Sequence, residues 1–350
     1  MDKAGNFYGT TWEGGDNGYG VAYKFAAKNQ NWMLTPLYSF PGNYTFLEPN
    51  APIVGPEGAL YGSARCSYGG CSLIYSLTPS PTACLTALCS WTESELYRIS
   101  DFGFPPPTGL VFDQGNLYGV LPSSSVVFEL TPSSGGGWTE STVYSFTGSD
   151  GGEPLALLLG KDGNFYGVTS NGGQYGNGTV FQLVPSGDGW AENVLYSFRN
   201  QSDGANPFFL VQDSSGNLFG LAYYGQQPYY PQGTVFMLSP SNGKWIFSTL
   251  LTSSGHDGES YTQLIVDAFG NMYVSGQGDD ECDGGYYDIF GYIKKGVPGS
   301  NGWQWSTPVY YWDETFDAQG PLALDAQGNL YGTTQGCGKY NNGTVWQFSP

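Results

Sequence analysis

An all-β fold made of seven copies of one four-stranded unit is what this sequence predicts, on three observations. A short phrase, Gly-Asn-Leu/Phe-Tyr, recurs seven times, starting at Gly5, Gly58, Gly115, Gly163, Gly216, Gly270 and Gly328. Successive copies lie 48 to 58 residues apart, a period typical of propeller blades rather than helical solenoids. Each interval carries four strand signals divided by turn signals, and no segment sustains a 3.6-residue apolar period. Four antiparallel strands with short hairpins and one longer crossover describe a blade, so the expectation is a seven-bladed β-propeller. A six-bladed ring with an unpaired remainder is the alternative.

Repeat four displays the elements in order. Strand A is the apolar run Pro154–Gly160, expected to be buried on both faces. The turn Lys161-Asp162-Gly163-Asn164 follows, with Gly163 free to take positive φ. Strand B begins at Asn164 with "NFYGVT" and runs into the glycine-rich loop "SNGGQYGNG". Strand C is Thr179–Pro185, and strand D runs from Trp190 to Phe198. A crossover, "RNQSDGAN", enters the next repeat.

The repeats fall near 1–50, 51–106, 107–153, 154–206, 207–260, 261–320 and 321–350, within one domain spanning 1–350. The chain enters at strand B and stops at strand C, so the first and last blades are expected to have three strands each. Their open edges could template homo-assembly. Met1 leads directly into a repeat, which implies a leader or upstream segment beyond this sequence.

Strand D opens on tryptophan at Trp32, Trp91, Trp138, Trp190, Trp245 and Trp303. That fixed place points to packing between blades rather than to sugar platforms. Asp-Gly pairs at Asp150, Asp203 and Asp257, with Asp317 nearby, are read as crossover turns rather than a ring of metal ligands.

Composition narrows the partners. Thirty acidic residues against 11 basic ones give a net charge of −19, which repels phosphate backbones and argues against nucleic acid. No apolar run approaches the length of a membrane span. The six cysteines suggest disulfides Cys66–Cys71, Cys84–Cys89 and Cys282–Cys337 and hence an extracellular or cell-surface location. A metal site and free thiols are the other readings. The sequons at Asn43, Asn177, Asn200 and Asn342 arise readily from Gly-Asn-Gly-Thr turns and carry little weight.

The core G-N-L/F-Y-G-T/V-T, a Gly-rich loop, and G-T-V-F/W-x-L/F-x-P, as at Gly178–Pro185 and Gly343–Pro350, resemble the Gloeo/Verruco ("GloVer") tandem repeat of bacterial surface proteins. Repeats two and six depart from it, with Ala59 in place of Asn and Val274 in place of the second Gly. The resemblance implies an exported protein and supplies no catalytic residues.

Chemistry is sparse. His256, the one histidine, sits in the crossover "SSGHDGES" and reads as a turn residue. No nucleophile elbow, Walker loop or HExxH motif occurs. Two loops between strands B and C stand out. In "YYGQQPYYPQG", Tyr223, Tyr224, Tyr229 and Tyr230 beside three glutamines either bind sugar rings or aromatic groups, or pack the loop on itself. In "GDDECDGGYYD", Asp279, Asp280, Glu281, Asp283 and Asp288 offer hard oxygen ligands for Ca²⁺ without EF-hand spacing; a solvated acidic loop is the default. The expectation is a non-catalytic binding or structural module for glycans or protein partners, with no required cofactor. A self-assembling filament subunit and a carbohydrate-active hydrolase or lyase are the alternatives.

Overall fold

The computed structural model describes residues 1–28, 31–41, 49–65, 71–79, 91–99, 108–187, 189–223, 233–253, 260–282, 286–311, 320–334 and 343–349. It is an all-β, seven-bladed propeller. The first blade holds β1 (Phe7–Thr10), β2 (Val21–Lys28) and β3 (Asn31–Ser39). The second holds β4 (Ile53–Val54), β5 (Leu60–Arg65), β6 (Ser72–Thr78) and β7 (Thr92–Ile99). The third is β8 (Thr108–Asp113), β9 (Asn116–Leu121), β10 (Val126–Pro132) and β11 (Trp138–Ser145). The fourth is β12 (Gly152–Leu159), β13 (Phe165–Asn171), β14 (Thr179–Ser186) and β15 (Gly189–Ser197). The fifth is β16 (Ala205–Gln212), β17 (Leu218–Tyr223), β18 (Thr234–Ser241) and β19 (Lys244–Thr252). The sixth is β20 (Ser260–Val266), β21 (Met272–Cys282), β22 (Tyr286–Gly299) and β23 (Gly302–Tyr311). The seventh is β24 (Ala323–Leu324), β25 (Leu330–Thr334) and β26 (Thr344–Phe348). Each sheet keeps its strands in chain order, and the first and last have three, as expected. Seven sheets set aside the six-bladed alternative. A 3-10 turn at Pro56–Gly58 is the sole helical element among the described residues, so none of their helices is long and apolar enough to cross a membrane.

By compactness the chain divides into two units. One comprises Met1–Phe146, Glu153–Leu159 and Gly187–Trp190; the other comprises Thr147–Gly152, Gly160–Ser186 and Ala191–Pro350. In the first, Ala22, Leu37, Phe40, Leu60, Leu73 and Tyr75 form one buried cluster, and Ile74, Leu117, Phe128 and Leu130 form another. In the second, Phe219, Val235, Tyr261, Leu264 and Tyr292 pack together, and Tyr273, Ile293 and Leu330 form a further cluster. Each cluster draws on two consecutive blades, because a lone four-stranded sheet cannot cover its own apolar face.

The phrase that defines the repeat has a packing cause beyond its turn. Its second glycine faces an aromatic residue across the B–C ladder: Gly9 opposite Tyr23, Gly62 opposite Tyr75, Gly119 opposite Phe128, Gly167 opposite Phe181, Gly220 opposite Phe236 and Gly332 opposite Trp346. A Cβ on Gly62 would come within 2.5 Å of the Tyr75 ring. The aromatic ring thus covers backbone that glycine leaves bare. Repeat six keeps the device despite Val274: the pair moves two residues along the ladder, to Gly276 opposite Tyr292.

Two expectations need correction. Strand A of repeat four, β12, is only partly buried, whereas the middle strands β13 and β14 are the most covered. An edge strand has one neighbour in its sheet; middle strands have two. The segment around Asp279 to Asp288 is not an open loop. Asp279, Asp280, Glu281 and Cys282 extend β21, Asp288 lies in β22, and Asp280 pairs in register with Asp288. The Tyr- and Ile-containing run that begins β22 favours ladder formation.

Candidate functional site

The site grows from the turn that joins strands A and B. In repeat four, Asp162 Oδ2 accepts from the Tyr166 hydroxyl (2.7 Å) and from Asn164 Nδ2 (2.8 Å), while Oδ1 accepts the Asn164 backbone N–H (3.2 Å). Burial alone would raise the Asp162 carboxyl. The Tyr166 hydroxyl and the two Asn164 donors outweigh it and hold the group below its ordinary value. Similar clasps join Asp2 to Asn6 and Tyr8, Asp213 to Asn217, Asp267 to Asn271, and Asp325 to Asn329 and Tyr331. In repeat three, Glu129 of β10 takes the acidic role, accepting from Asn116 and Tyr118 at 2.7 Å each. Repeat two, with Ala59 in place of Asn, closes its turn by backbone bonds, Gly55 N–H to Ala59 O and Ala59 N–H to Pro56 O. The recurrent acids are thus mostly structural.

Tryptophans from the start of strand D lie against these tyrosines from the following blade. Trp91 meets Tyr8 (6.3 Å between centroids), Trp138 meets Tyr61 (6.4 Å), Trp245 meets Tyr166 (5.8 Å) and Trp303 meets Phe219 (5.8 Å). The expected packing between blades is therefore found at Trp91, Trp138, Trp245 and Trp303.

Between the fourth and fifth blades this joint opens into a cleft of about 420 Å³, lined by Lys161, Asp162, Tyr166, Gln182, Gln212, Ser214, Ser215, Lys244 and Trp245 among others. Its size lies within the range of ligand pockets, roughly 300–1,000 Å³. Gln182, opposite Tyr166 on the ladder, donates to the Tyr166 hydroxyl at 2.9 Å, and the Lys161 N–H reaches Gln212 Oε1 at 3.4 Å. Lys244 begins β19, and the partly buried Trp245 follows it. Aromatic faces ringed by amides, hydroxyls and two ammonium groups can hold a polyhydroxylated molecule by stacking and hydrogen bonding.

A second groove of about 440 Å³ lies at the B–C loop of the fourth blade, lined by Ser149, Gln174, Tyr175, Val194, Tyr196, Ser197 and Arg199. The Arg199 guanidinium sits 5.6 Å from the centre of the Tyr175 ring. Behind it, Asp203 caps the crossover, accepting the Arg199 N–H (2.8 Å), the Gln201 N–H (2.9 Å) and the Tyr196 hydroxyl (2.9 Å). Asp150 likewise accepts from the Thr147 N–H at 2.8 Å. Both are turn residues, as expected; Asp257 and Asp317 lie outside the described residues.

Of the predicted aromatic loop, only Tyr223 is described. It stacks on Phe208 at 4.1 Å and is 41% exposed. Tyr224, Tyr229 and Tyr230 lie outside the described residues, as do Asp283, His256, Cys66, Cys84, Cys89 and Cys337. For Asp279, Asp280, Glu281, Cys282 and Asp288 only the backbone is described. The sulfur of Cys71 accepts from Arg98 Nη1 at 3.7 Å. Among the described residues no group of three or more acidic, cysteine or histidine side chains is arranged to hold a metal.

The cleft between the fourth and fifth blades was missed in the sequence, although a signal exists. The residue before the strand-D tryptophan is Asn31, Ser90, Gly137, Gly189 or Gly302 elsewhere, and Lys244 here alone.

No curated protein matches the chain. Among solved structures, a Lactobacillus plantarum protein superposes with a TM-score of 0.60 at 14% identity, over 98% of this chain and 94% of the other. A proposed 6-phosphogluconolactonase of Bacteroides uniformis gives 0.57 at 11%, over 98% and 94%. A puromycin-hydrolysing peptidase of Mycobacterium tuberculosis gives 0.57 at 12%, over 90% of this chain and 48% of that one. Such different activities at such low identity establish the fold alone. The profile of the Gloeobacter/Verrucomicrobia repeat matches residues 114–297. That is just over half of the chain, and the chain belongs to this repeat family.

Proposed function

We propose that the protein is an exported, non-catalytic binding module that takes glycans in the cleft between its fourth and fifth blades. One observation carries the reading: Trp245 and Tyr166 meet in a cleft whose remaining lining is mostly amide, hydroxyl and ammonium groups. Sugar rings present an apolar face for stacking and an equatorial belt of hydroxyls for hydrogen bonding, and this lining matches both. Hydrolysis by paired carboxylates needs an acid and a base with separated pKa values. Asp162 is the one carboxylate lining the cleft among the described residues, and its oxygens are engaged by Tyr166 and Asn164. Glu192, whose carboxyl burial raises to about 7, lines neither groove and so supplies no acid there. Export is supported by membership of the repeat family and by cysteines spaced for disulfides.

The test is a glycan array followed by calorimetry on the wild type, Gln212→Ala and Trp245→Ala, with circular dichroism to verify folding. Binding without release of reducing ends, weakened in both variants, is the expected result. Turnover of a bound polysaccharide, or binding indifferent to both substitutions, overturns the reading.

A further inference from the structure

Glycans range from neutral to polyanionic, and charged groups lining a binding cleft discriminate among them. Basic residues are scarce in this chain, 11 against 30 acidic. Two of the 11, Lys161 and Lys244, line the same cleft. They reach it from different blades: Lys161 from the turn after β12, Lys244 from the first position of β19. Both are exposed, and among the described residues neither has a carboxylate within ion-pair distance. Lysines kept only for solubility in so acidic a protein would find acidic neighbours readily. These two stand instead at the mouth of a ligand-sized cavity.

The acid in the cleft does not cancel them. Asp162 stays ionised, its oxygens engaged by Asn164 and Tyr166, so one negative charge stands against the two ammonium groups and the pair keeps the lining net positive. Around the aromatic floor, Ser214 and Ser215 add hydroxyls from the A–B turn of the fifth blade. A ligand that uses all of these has a flat ring with an apolar face, several hydroxyls and carboxylates on its edge.

We infer that the cleft selects uronate-bearing glycans, Lys161 and Lys244 pairing with the sugar carboxylates while Trp245 stacks on a ring. The inference rests on the binding reading above. The overall −19 charge repels a polyanion at long range, so attraction comes from this local pair and is weakened by salt.

The experiment titrates the full chain with tri-galacturonate and with its methyl ester, following heat and tryptophan fluorescence at low and high NaCl. Wild type is expected to favour the acid over the ester by about tenfold, as two exposed ion contacts would give. Lys161→Gln with Lys244→Gln is expected to abolish that preference, weakening acid binding by about tenfold more than ester binding. Both substitutions are on the surface and spare the aromatic joint. Equal binding of acid and ester by wild type overturns the inference and leaves the glycan reading standing. Tighter binding of a sulfated trisaccharide than of the uronate also overturns it. Failure of all three probes sinks inference and reading together.

Discussion

Trp245 of the fifth blade meets Tyr166 of the fourth edge to face, 5.8 Å between centroids and 68° between planes. The tyrosine is held in turn by Asp162 and Gln182. Removing the indole therefore unpins a joint between blades as well as a binding surface. Trp245→Ala is expected to cost about 2 kcal/mol, below a fully buried tryptophan because the residue is only partly buried. Trp245→Phe should recover more than half of that. Denaturant unfolding measures both; a change below about 0.5 kcal/mol in the alanine variant would show that the joint is not stabilising.

The turn clasps hold by hydrogen bonds to a charged group. Asp325 accepts from the Gln327 N–H (2.9 Å), the Asn329 N–H (2.8 Å), Asn329 Nδ2 (2.7 Å) and the Tyr331 hydroxyl (2.9 Å). Asp325→Ala strands these donors beside a partly solvated turn and should cost about 1–2 kcal/mol. Asn329→Ala removes two of the donors and should cost less. Equal midpoints for wild type and Asp325→Ala in urea would refute a stabilising clasp.

Stability should also follow pH in a definite way. Burial would raise the Asp2, Asp162 and Asp325 carboxyls, but hydrogen bonds, foremost from Asn6, Tyr166 and Asn329 respectively, hold all three below their ordinary 3.8, Asp2 at about 2. Their contribution is present above 3.8 and is lost as pH falls toward 2. Glu192 has the opposite sign. Burial first, then Asp150, raises it from 4.5 to about 7, so its folded form prefers the proton. That contribution is full below 4.5 and is lost as pH rises to about 7. Thermal melts should give a maximum near pH 4–5. Glu192→Gln should flatten the decline from pH 4.5 to 7.5 by ~1 kcal/mol, a figure discounted for its partial exposure. A variant profile parallel to wild type would contradict this.

Two glycines of one loop separate backbone strain from crowding. Gly176 (φ +78°) has open space where a Cβ would sit, whereas a Cβ on Gly178 (φ +94°) would overlap Thr169 O and approach Pro207 Cδ at 2.6 Å. Gly176→Ala should cost ~1 kcal/mol from the left-handed backbone alone. Gly178→Ala should cost more than ~3 kcal/mol or prevent folding. Similar unfolding midpoints for the two variants would defeat the distinction.

For the cysteines, peptide mapping without reductant is expected to recover Cys66–Cys71, Cys84–Cys89 and Cys282–Cys337. Cys282 and Cys337 belong to equivalent stretches of consecutive repeats, and breaking their bond should cost about 2–4 kcal/mol. Alkylation of Cys282 in the native protein would reject the pairing.

Much of the frame was legible because local chemistry writes it. Gly163 and its counterparts mark turns needing positive φ, as the observed +80° at Gly163 attests. Thr179–Val184 alternates as a strand must, and β14 begins at Thr179. What escaped notice depends on neighbours distant in sequence. Nothing local says that the glycine after Tyr166 is covered by Phe181, or that Val274 is tolerated because Gly276 meets Tyr292. The hairpin of β21 and β22 hid behind acidic residues, whose low strand propensity is overridden by pairing. The cleft was invisible for the same reason: Lys161 and Lys244 stand 83 positions apart in sequence and share a cavity only once two blades are side by side.

The joints between blades have a polarity: the earlier blade offers Tyr8, Tyr61, Tyr166 or Phe219, and the later one supplies Trp91, Trp138, Trp245 or Trp303. A unit of this kind is its own socket and its own plug. Duplication of a whole repeat copies both halves of the contact together. The residues around each joint are then free to diverge copy by copy, and a lysine pair arising at a single junction is the kind of novelty such an array accumulates.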